Sequence, residues 1–310
     1  MSSAPLGERL VEGAIRAAGW AVIALLLAIA AFVAREAWPP PAAMDVAELF
    51  GSTRWIPSPA RGNAPHYGAL GMIVGTLATT TIALSIAVPL GIGAAIYVAE
   101  LAPKRVREPL KVTIELLAAI PSIVWGFVGL GVVGPLVAAV TGAPLGTNLL
   151  TGGLILGFMS APVIVSLAED ALRAVPDAER EAGLALGASP WQLVTRVLIP
   201  SARSGLLAAV LLGLGRAMGE TMAVLLATGH ANQIPGSLVD PVRTLTAAIA
   251  AELGEAPKGS DHYRALFLLG LMLLATTAGL NAIAHAIVHR RRSAARDDDD
   301  GVATPAEEAA

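Results

Sequence analysis

Two oppositely charged residues, Arg216 and Glu220, lie four positions apart inside an otherwise apolar stretch at 206–228. In a helix this spacing places both side chains on one face. Either charge alone at the centre of a membrane would cost from about 2.5 to more than 10 kcal/mol, so both must be paired or hydrated. The planar guanidinium of an arginine donates two parallel hydrogen bonds to a tetrahedral oxyanion, and the negative charge of Glu220 would keep Arg216 from binding that anion too tightly. The same pair also fits an internal salt bridge that only locks helices together.

The rest of the chain lacks the residues that most catalytic and cofactor sites need. It has no Cys and no glycine-rich phosphate loop, and its five histidines are scattered at positions 66, 230, 262, 285 and 289. We therefore expect neither a metal nor a nucleotide cofactor bound by this chain. A net charge of −3 gives no reason to expect a nucleic-acid partner. If the chain moves a solute uphill, the energy must come largely from a partner.

The elements that hold the charged pair are predicted to be membrane-spanning helices. Hydrophobic residues make up 55% of the 310 residues and charged residues 15%, too few charges to cover a globule of this size with a wetted surface. A helix needs about 20 apolar residues to cross a bilayer. The long uncharged stretches therefore predict an all-α polytopic membrane protein with six spans. These are residues 17–34, 70–98, two helices within 116–168 joined near 141–147, then 206–228 and 265–288.

The distribution of Lys and Arg predicts the orientation of the spans. Fourteen of the 21 basic residues fall at the termini and in the connections after the second and fourth spans, whereas six fall in the other connections. By the positive-inside rule, both termini and those two connections are cytoplasmic. We expect a cytoplasmic N-terminus at 1–16, an uncleaved first span, a transmembrane domain at 17–289 with a large cytoplasmic connection at 169–203, and a disordered acidic tail at 290–310.

The connection after the fourth span is larger than a simple link requires. Residues 175–188 predict a short helix in which Pro176 fixes the approach, Asp177 caps the first turn and Gly187 ends the helix in a left-handed conformation. A second short amphipathic segment is predicted from Trp191 until Pro200 restarts the chain into the fifth span.

The spacing inside this connection resembles the EAA motif of ABC importer permeases. Residues 181–183 read Glu-Ala-Gly, followed after three residues by Gly187 and after nine more by Val-Leu-Ile-Pro at 197–200. The departures from the family pattern, at Gly183, Val197 and Ile199, are modest changes in size. In that family the loop docks on a cytoplasmic ATPase subunit, which binds ATP and Mg; the alternative is a surface helix–turn–helix without a partner. The coupling residues implied by the resemblance are Glu181, Ala182, Gly183, Gly187 and Pro200.

Further stretches are similar to the membrane subunits of the phosphate-specific ABC importers, the C-type permease subunit in particular. They are residues 67–77, 88–100, 115–129 and the run Gly-Arg-Ala-Met-Gly-Glu-Thr-Met-Ala-Val at 215–224. The last run implies a substrate path lined by Arg216, Glu220 and Thr221. Its two glycines, at small-xxx-small spacing, would let a neighbouring helix approach closely.

The resemblance also implies a fold, a location and a set of partners. The fold is that of a type I importer permease (MetI-like), and the location is the inner membrane of a bacterium. The partners are a homologous A-type permease, a dimer of ATPase subunits, an extracytoplasmic phosphate-binding protein, inorganic phosphate and membrane lipid. Two alternatives stay open. The chain would carry another oxyanion, such as phosphonate, sulfate or molybdate, or it would be a secondary transporter or channel that works without ATP.

Overall fold

The computed structural model describes residues 6–42, 44–59 and 63–300, with side chains from residue 11 to residue 282. Over these residues the chain is helical, apart from a two-stranded antiparallel hairpin, β1 (Trp55–Ile56) and β2 (His66–Tyr67), and the connecting loops. The helices are α1 Leu6–Ala37, α2 Val46–Gly51, α3 Leu70–Ile96, α4 Lys104–Ala119, α5 Ser122–Val128, α6 Gly134–Thr141, α7 Leu149–Arg173, α8 Asp177–Ala185, α9 Pro190–Leu193, α10 Ile199–Gly219, α11 Met222–Ala227, α12 Leu245–Glu252 and α13 Asp261–Asp300. Within the same ranges, π-helical turns occur at Tyr97–Leu101, Gly129–Val133 and Val194–Leu198.

In the described part of the chain, six helical segments are long and apolar enough to cross a membrane. This confirms the predicted all-α fold with six spans. A multi-pass membrane protein is the architecture that these lengths and hydropathies support. The segments are Val11–Ala37, Leu70–Leu101, Ser122–Thr141, Leu149–Arg173, Pro190–Gly219 and Asp261–Ala282.

The fifth span does not have its predicted bounds of 206–228. It begins earlier, at Pro190, and ends at Gly219, because Glu220 adopts an extended backbone with ψ 137°. A separate short helix, α11, then starts at Met222. Apolar residues lie on both sides of Glu220 and Thr221, so hydropathy averaged over a span does not reveal the break.

Pro200 does not begin a new helix as predicted. It lies in the first turn of α10, and α10 continues directly from the π-helical turn at Val194–Leu198. Pro135 likewise lies two residues after the π-helical turn at Gly129–Val133. In a regular α-helix a proline ring clashes with the carbonyl four residues earlier. At both sites that carbonyl belongs to a π turn, whose wider winding leaves room for the ring and lets the helix continue.

The segment between the second and third spans forms an amphipathic helix, α4, that was not predicted. Glu115 is exposed on this helix and does not lie in the third span, which begins at Ser122 after Pro121. Lys111 of α4 binds the buried carboxylate of Glu169 on α7 at 3.0 Å. Apolar residues at 106, 110, 114 and 117, with charges between them, are the helical pattern that would have predicted α4.

The centre of the bundle is the pair α3 and α7, which approach closely at glycines. A Cβ built on Gly157 of α7 would lie 3.0 Å from the carbonyl oxygen of Ala83 on α3, and one on Gly91 of α3 would lie 2.7 Å from Ile164 on α7. Glycine at these positions lets the two backbones pack side by side. The two spans therefore form one closely packed unit.

Gly75 of α3 gives a direct test of this packing. A Cβ at Gly75 would overlap the backbone carbonyl of Arg243, whereas a Cβ at Gly93 of the same helix would meet nothing within 4 Å. We expect Gly75→Ala to destabilise the purified protein by about 1–3 kcal/mol, the usual cost of overpacking. Gly93→Ala, the matched control, should be neutral or slightly stabilising because alanine favours helix. Thermal unfolding in detergent measures both, and equal midpoints would contradict the proposed contact.

The first and last helices both continue past the predicted boundaries of the transmembrane domain. The helix α1 begins at Leu6, and residues 1–5 lie outside the described residues. The helix α13 runs to Asp300 and so includes residues 290–300 of the predicted disordered tail. Residues 301–310 lie outside the described residues. The boundaries at residues 16 and 289 stay predictions.

Candidate functional site

Arg216 and Glu220 form no ion pair with each other among the described side chains, although they lie one helical turn apart. Arg216 lies in the last turn of α10, whereas Glu220 is the first residue after the helix. The Glu220 carboxylate instead binds forward along the chain, where its Oε1 accepts hydrogen bonds from the N–H groups of Met222 at 3.1 Å and Ala223 at 3.3 Å. These N–H groups begin α11 and have no partner within that helix, so Glu220 satisfies donors that the break exposes.

Two hydroxyl groups also bind the backbone at this break. Thr246 of α12 is buried and donates to the carbonyl oxygen of Glu220 at 2.6 Å. Thr221, predicted to line a substrate path, donates to the carbonyl oxygen of Gly219 at 3.3 Å. The break is therefore a bonded part of the fold and not a frayed helix end.

The guanidinium of Arg216 is open on the surface of the bundle. Arg216 is exposed, and among the side chains that the structure describes it has neither a hydrogen bond nor an ion pair. A Cβ at Gly215 or Gly219 would meet no atom of a neighbouring element within 4 Å, and Gly219 is exposed while Gly215 is half-buried. The sequence left open a salt bridge from Arg216 to Glu220 that would stabilise helix packing. This salt bridge is not formed.

Arg216 nevertheless lies within the depth of the bundle. Its neighbour Ala217 packs in a buried cluster with Leu156 and Met159 of α7. At 1.5 Å per residue, these two residues are roughly 10–15 Å from the start of α7 at Leu149. A charge at that depth in a membrane requires water, an anion or a partner chain beside it.

The helix α11 is held inside the bundle by close backbone contacts. A Cβ on Gly126 of α5 would come within 3.2 Å of the backbone of Ala223 and Met222. At the other end of α11, the N–H of Asn148 donates to the carbonyl oxygen of Ala227 at 3.0 Å. The sequence signal for this arrangement is Gly-Glu-Thr at 219–221, a helix-ending glycine followed by side chains that cap a new helix.

The connection after α7 contains the predicted short helix, α8. Gly187 follows it with φ +79°, the left-handed conformation predicted for this glycine. The N–H of Gly187 donates to Leu184 O at 2.9 Å, which closes the helix end. Asp177 does not cap the helix as predicted, because Pro176 occupies the N-cap position and Asp177 is already helical. Its carboxylate lies 3.6 Å from Nε of Arg180.

A capping box starts the second helix of this connection, α9. Ser189 accepts a hydrogen bond from the N–H of Gln192 at 3.3 Å, and the Gln192 side chain accepts one from the N–H of Ser189 at 2.9 Å. Gly183 of α8 lies against this helix, where a Cβ would be 2.8 Å from Leu193. Glycine at this position of the EAA-like motif therefore lets the two helices pack together.

The other motif residues and several apolar side chains face outwards. Glu181, Ala182, Gly187 and Pro200 are all exposed. Leu186 is 90% exposed, Trp191 64% and Leu184 53%. These three apolar side chains, here called the apolar patch, were not predicted as functional. Their signal in the sequence is the presence of large apolar residues on either side of the Gly187 turn, and exposed apolar residues grouped at one place typically mark an interaction surface.

At the opposite end of the bundle, Glu252 of α12 joins three separate segments. Its carboxylate accepts hydrogen bonds from Trp55 Nε1 at 2.8 Å and from Arg243 Nη2, and it lies 2.8 Å from Nε2 of His262. Burial by itself raises the pKa of Glu252, but the hydrogen bonds from Trp55, Arg243 and His262 and the charge of Arg243 together lower it below its ordinary value. An ionised Glu252 thus holds the hairpin, the loop before α12 and the start of α13 together.

His230, near this network, gives a prediction about pH. Burial, followed by the charge of Arg243, lowers the pKa of His230 from 6.5 to about 4. Between these two values the unfolded chain binds a proton that the folded chain does not, so stability falls as the pH falls through this window. We expect the unfolding temperature in detergent to decrease from pH 6.5 towards 4, and His230→Asn to flatten this dependence. Asparagine suits the left-handed backbone of His230, φ 58°. Identical pH profiles of the two proteins would exclude His230 as the cause.

Residues 87–293 match the family described as "Binding-protein-dependent transport system inner membrane component". The chain belongs to this family. As a permease, it is similar to the phosphate transport system permease protein PstC of Haemophilus influenzae, with 42% identity over 231 residues that cover 68% of this chain and 73% of the relative. It is also similar to PstC of Mesorhizobium japonicum, with 36% identity over 304 residues and coverage of 92% and 91%.

The permease fold is also found among solved structures. The inward-facing MetNI methionine ABC transporter matches with a TM-score of 0.56 and 20% identity, over 71% of this chain and 94% of that chain. At this identity the likeness concerns the fold alone. It agrees with the predicted MetI-like architecture of type I importer permeases.

Proposed function

We propose that this permease forms one half of the path for inorganic phosphate in an ABC importer of a bacterial inner membrane. The observation that carries the proposal is the guanidinium of Arg216, which is exposed at membrane depth and has no ion pair or hydrogen bond among the described side chains. A guanidinium binds a tetrahedral oxyanion through two parallel hydrogen bonds. The naming of the relatives as phosphate transport permeases supports phosphate as that oxyanion.

The other half of the path is proposed to come from a homologous A-type permease. On α10, Arg216 and Gly219 are exposed, and a Cβ at half-buried Gly215 would meet no atom of a neighbouring element within 4 Å. Small residues at this spacing allow a second helix to pack closely, and a second arginine-bearing helix opposite the first would enclose the anion. In this arrangement Glu220, which is fixed at the start of α11, limits how tightly the anion is held, and Thr221 lies next to the path.

ATP and Mg are proposed to bind to a dimer of ATPase subunits that docks on α8 and α9. The apolar patch at Leu184, Leu186 and Trp191 supports this docking, because it is exposed in the loop that carries the EAA-like spacing. The roles inferred for Glu181, Ala182, Gly183, Gly187 and Pro200 belong to this contact. This chain supplies the transport path and leaves hydrolysis to the partner.

The orientation follows from the basic residues. With the positive-inside bias of fourteen against six, α8 and both termini lie in the cytoplasm, and the end with β1, β2 and α12 faces outwards. An extracytoplasmic phosphate-binding protein would deliver its ligand to that outer end.

Uptake of labelled phosphate at limiting phosphate tests the function. A deletion strain should lose high-affinity uptake, and the plasmid-borne gene should restore it; unchanged uptake in the deletion strain would contradict the proposal. Competition of that uptake by sulfate, molybdate or phosphonate separates the other oxyanions. Transport by the purified chain alone in liposomes would instead favour an ATP-independent transporter or channel, an alternative that neither the family match nor the relatives support.

A further inference from the structure

Arg180 of α8 binds the ends of two different spans. Its Nη1 donates to both carboxylate oxygens of Glu100, at 2.5 and 2.6 Å. Its Nη2 donates to the carbonyl oxygen of Leu172, in the last turn of α7, at 2.7 Å. One guanidinium therefore joins α8 to the end of the second span and to the end of the fourth.

This ion pair is shielded from solvent. The side chains of Arg180 and Glu100 are 18% and 12% exposed, whereas a typical surface ion pair is freely hydrated. Charge-assisted hydrogen bonds in such an environment are stronger than those on an open surface. The contact is thus able to carry a displacement from one helix to another.

Glu100 lies in the π-helical turn Tyr97–Leu101, which continues α3 at this end of the bundle. A second arginine, Arg107 of α4, donates to the carbonyl oxygen of Ala99 in the same turn at 2.8 Å. π turns are uncommon and are often found at functional sites. Here the turn is held by arginines from two different helices.

The backbone alone does not fix the angle of α8. Gly183 of α8 lies against Leu193 of α9, and Glu179 of α8 accepts a hydrogen bond from Ser201 Oγ of α10 at 2.6 Å, but neither contact involves the second span. Arg180, one turn into α8, adds a direct attachment to the second span through Glu100. Because α3 and α7 pack closely at Gly91 and Gly157, both anchors of Arg180 belong to one unit.

We propose that Arg180 is a positioning residue that transmits movement of α8 to the α3–α7 pair. The proposal rests on the proposed coupling of this permease to an ATPase. When the ATPase subunits close, α8 shifts. The ion pair between Arg180 and Glu100, here called the clamp, then moves the two spans with α8. Without the clamp, α8 moves with the ATPase and less of that movement reaches the second span.

The test is uptake per ATP hydrolysed by the complete transporter in liposomes. We expect Arg180→Gln and Glu100→Gln each to lower this ratio about tenfold or more, as expected for loss of one partner of a shielded ion pair, while ATPase association is retained. Arg180→Lys should have an intermediate effect because it keeps the charge without the fork. The reciprocal exchange, Arg180→Glu with Glu100→Arg, should recover part of the ratio. Arg105→Gln, on an exposed arginine of α4 without an ion pair among residues 11–282, is the matched control.

A second measurement follows the clamp without any transport assay. The chain has no native cysteine, so spin labels at Ala178→Cys and Leu101→Cys, both exposed positions, report the distance between α8 and the π turn. We expect Arg180→Gln to broaden this distance distribution and Arg105→Gln to leave it unchanged.

The two measurements separate the possible failures. If the wild-type transporter takes up no phosphate with ATP, the proposed function fails, and the label distances still decide whether the clamp positions α8. If the wild type is active and Arg180→Gln has the same uptake per ATP, the clamp proposal is overturned. Loss of ATPase association in Arg180→Gln would likewise overturn it, because the residue would then serve docking.

Discussion

Replacement of Arg216 by Gln is expected to abolish phosphate uptake while the permease still assembles with its partners. Arg216 makes no ion pair or hydrogen bond with any described side chain or backbone group, so its replacement should leave the fold of this chain intact. Loss of a desolvated charge-assisted contact to an anion costs about 2–5 kcal/mol, which corresponds to a decrease in uptake of roughly thirtyfold or more. The measurement is uptake of labelled phosphate in a deletion strain, with assembly followed by co-purification.

The same helix supplies the control for this experiment. Arg203 is also exposed, but it lies in the first turns of α10, far from Arg216. Arg203→Gln should therefore keep uptake. Arg216→Lys is expected to keep part of the activity, since it retains the charge without the bidentate fork. If Arg216→Gln instead prevents assembly, the arginine locks two subunits together and does not contact the substrate.

Replacement of Leu186 by Glu is expected to abolish association with the ATPase subunits. Leu186 is 90% exposed, so the substitution removes no contact within this chain and should not change its stability. At a docking surface, the buried leucine contributes about 1.5–3 kcal/mol, and burying a charge in its place adds a further cost. We expect the affinity for the ATPase to fall about a hundredfold, measured by co-purification and by binding to immobilised permease.

Two further variants test whether the loss of ATPase association is specific to this loop. Leu238 is 55% exposed in the loop before α12, at the opposite end of the bundle, and Leu238→Glu should leave ATPase association unchanged. Gly187→Asp should also weaken association, because it adds a charge beside Leu186 and strains the left-handed backbone. Normal association of both Leu186→Glu and Gly187→Asp would contradict the assignment of this loop to ATPase docking.

The spans were predictable because hydropathy averages over about 20 residues and a membrane core tolerates little charge. The same averaging conceals a break in the helix that involves only one or two residues. Glu220 and Thr221 have apolar residues on both sides, so the averaged hydropathy stays high while the backbone breaks. Glu220 then satisfies N–H groups that a continuous helix would bond internally. Consequently the span itself was found, but its predicted end at residue 228 was wrong, because the helix ends at Gly219.

The connection at 169–203 contains site features that the sequence predicts and others that it does not. The left-handed turn at Gly187 was predictable because only glycine adopts it without cost. The outward direction of Leu186 was not, because it depends on how α8 packs against α9 through Gly183. The bond between Arg180 and Glu100 joins residues 80 positions apart, and no local pattern encodes such a contact.

The π-helical turn at Val194–Leu198 sets the rotational phase between the two parts of the fifth span. A π turn winds the chain less per residue than an α turn, so rewinding these five residues as α-helix would rotate α10 by roughly a quarter of a turn. Arg216, which extends from α10, would then point in a different direction with little change in the length of the span. The direction of this guanidinium is therefore determined by backbone winding about 30 Å away along the helix, and not only by the residues next to it.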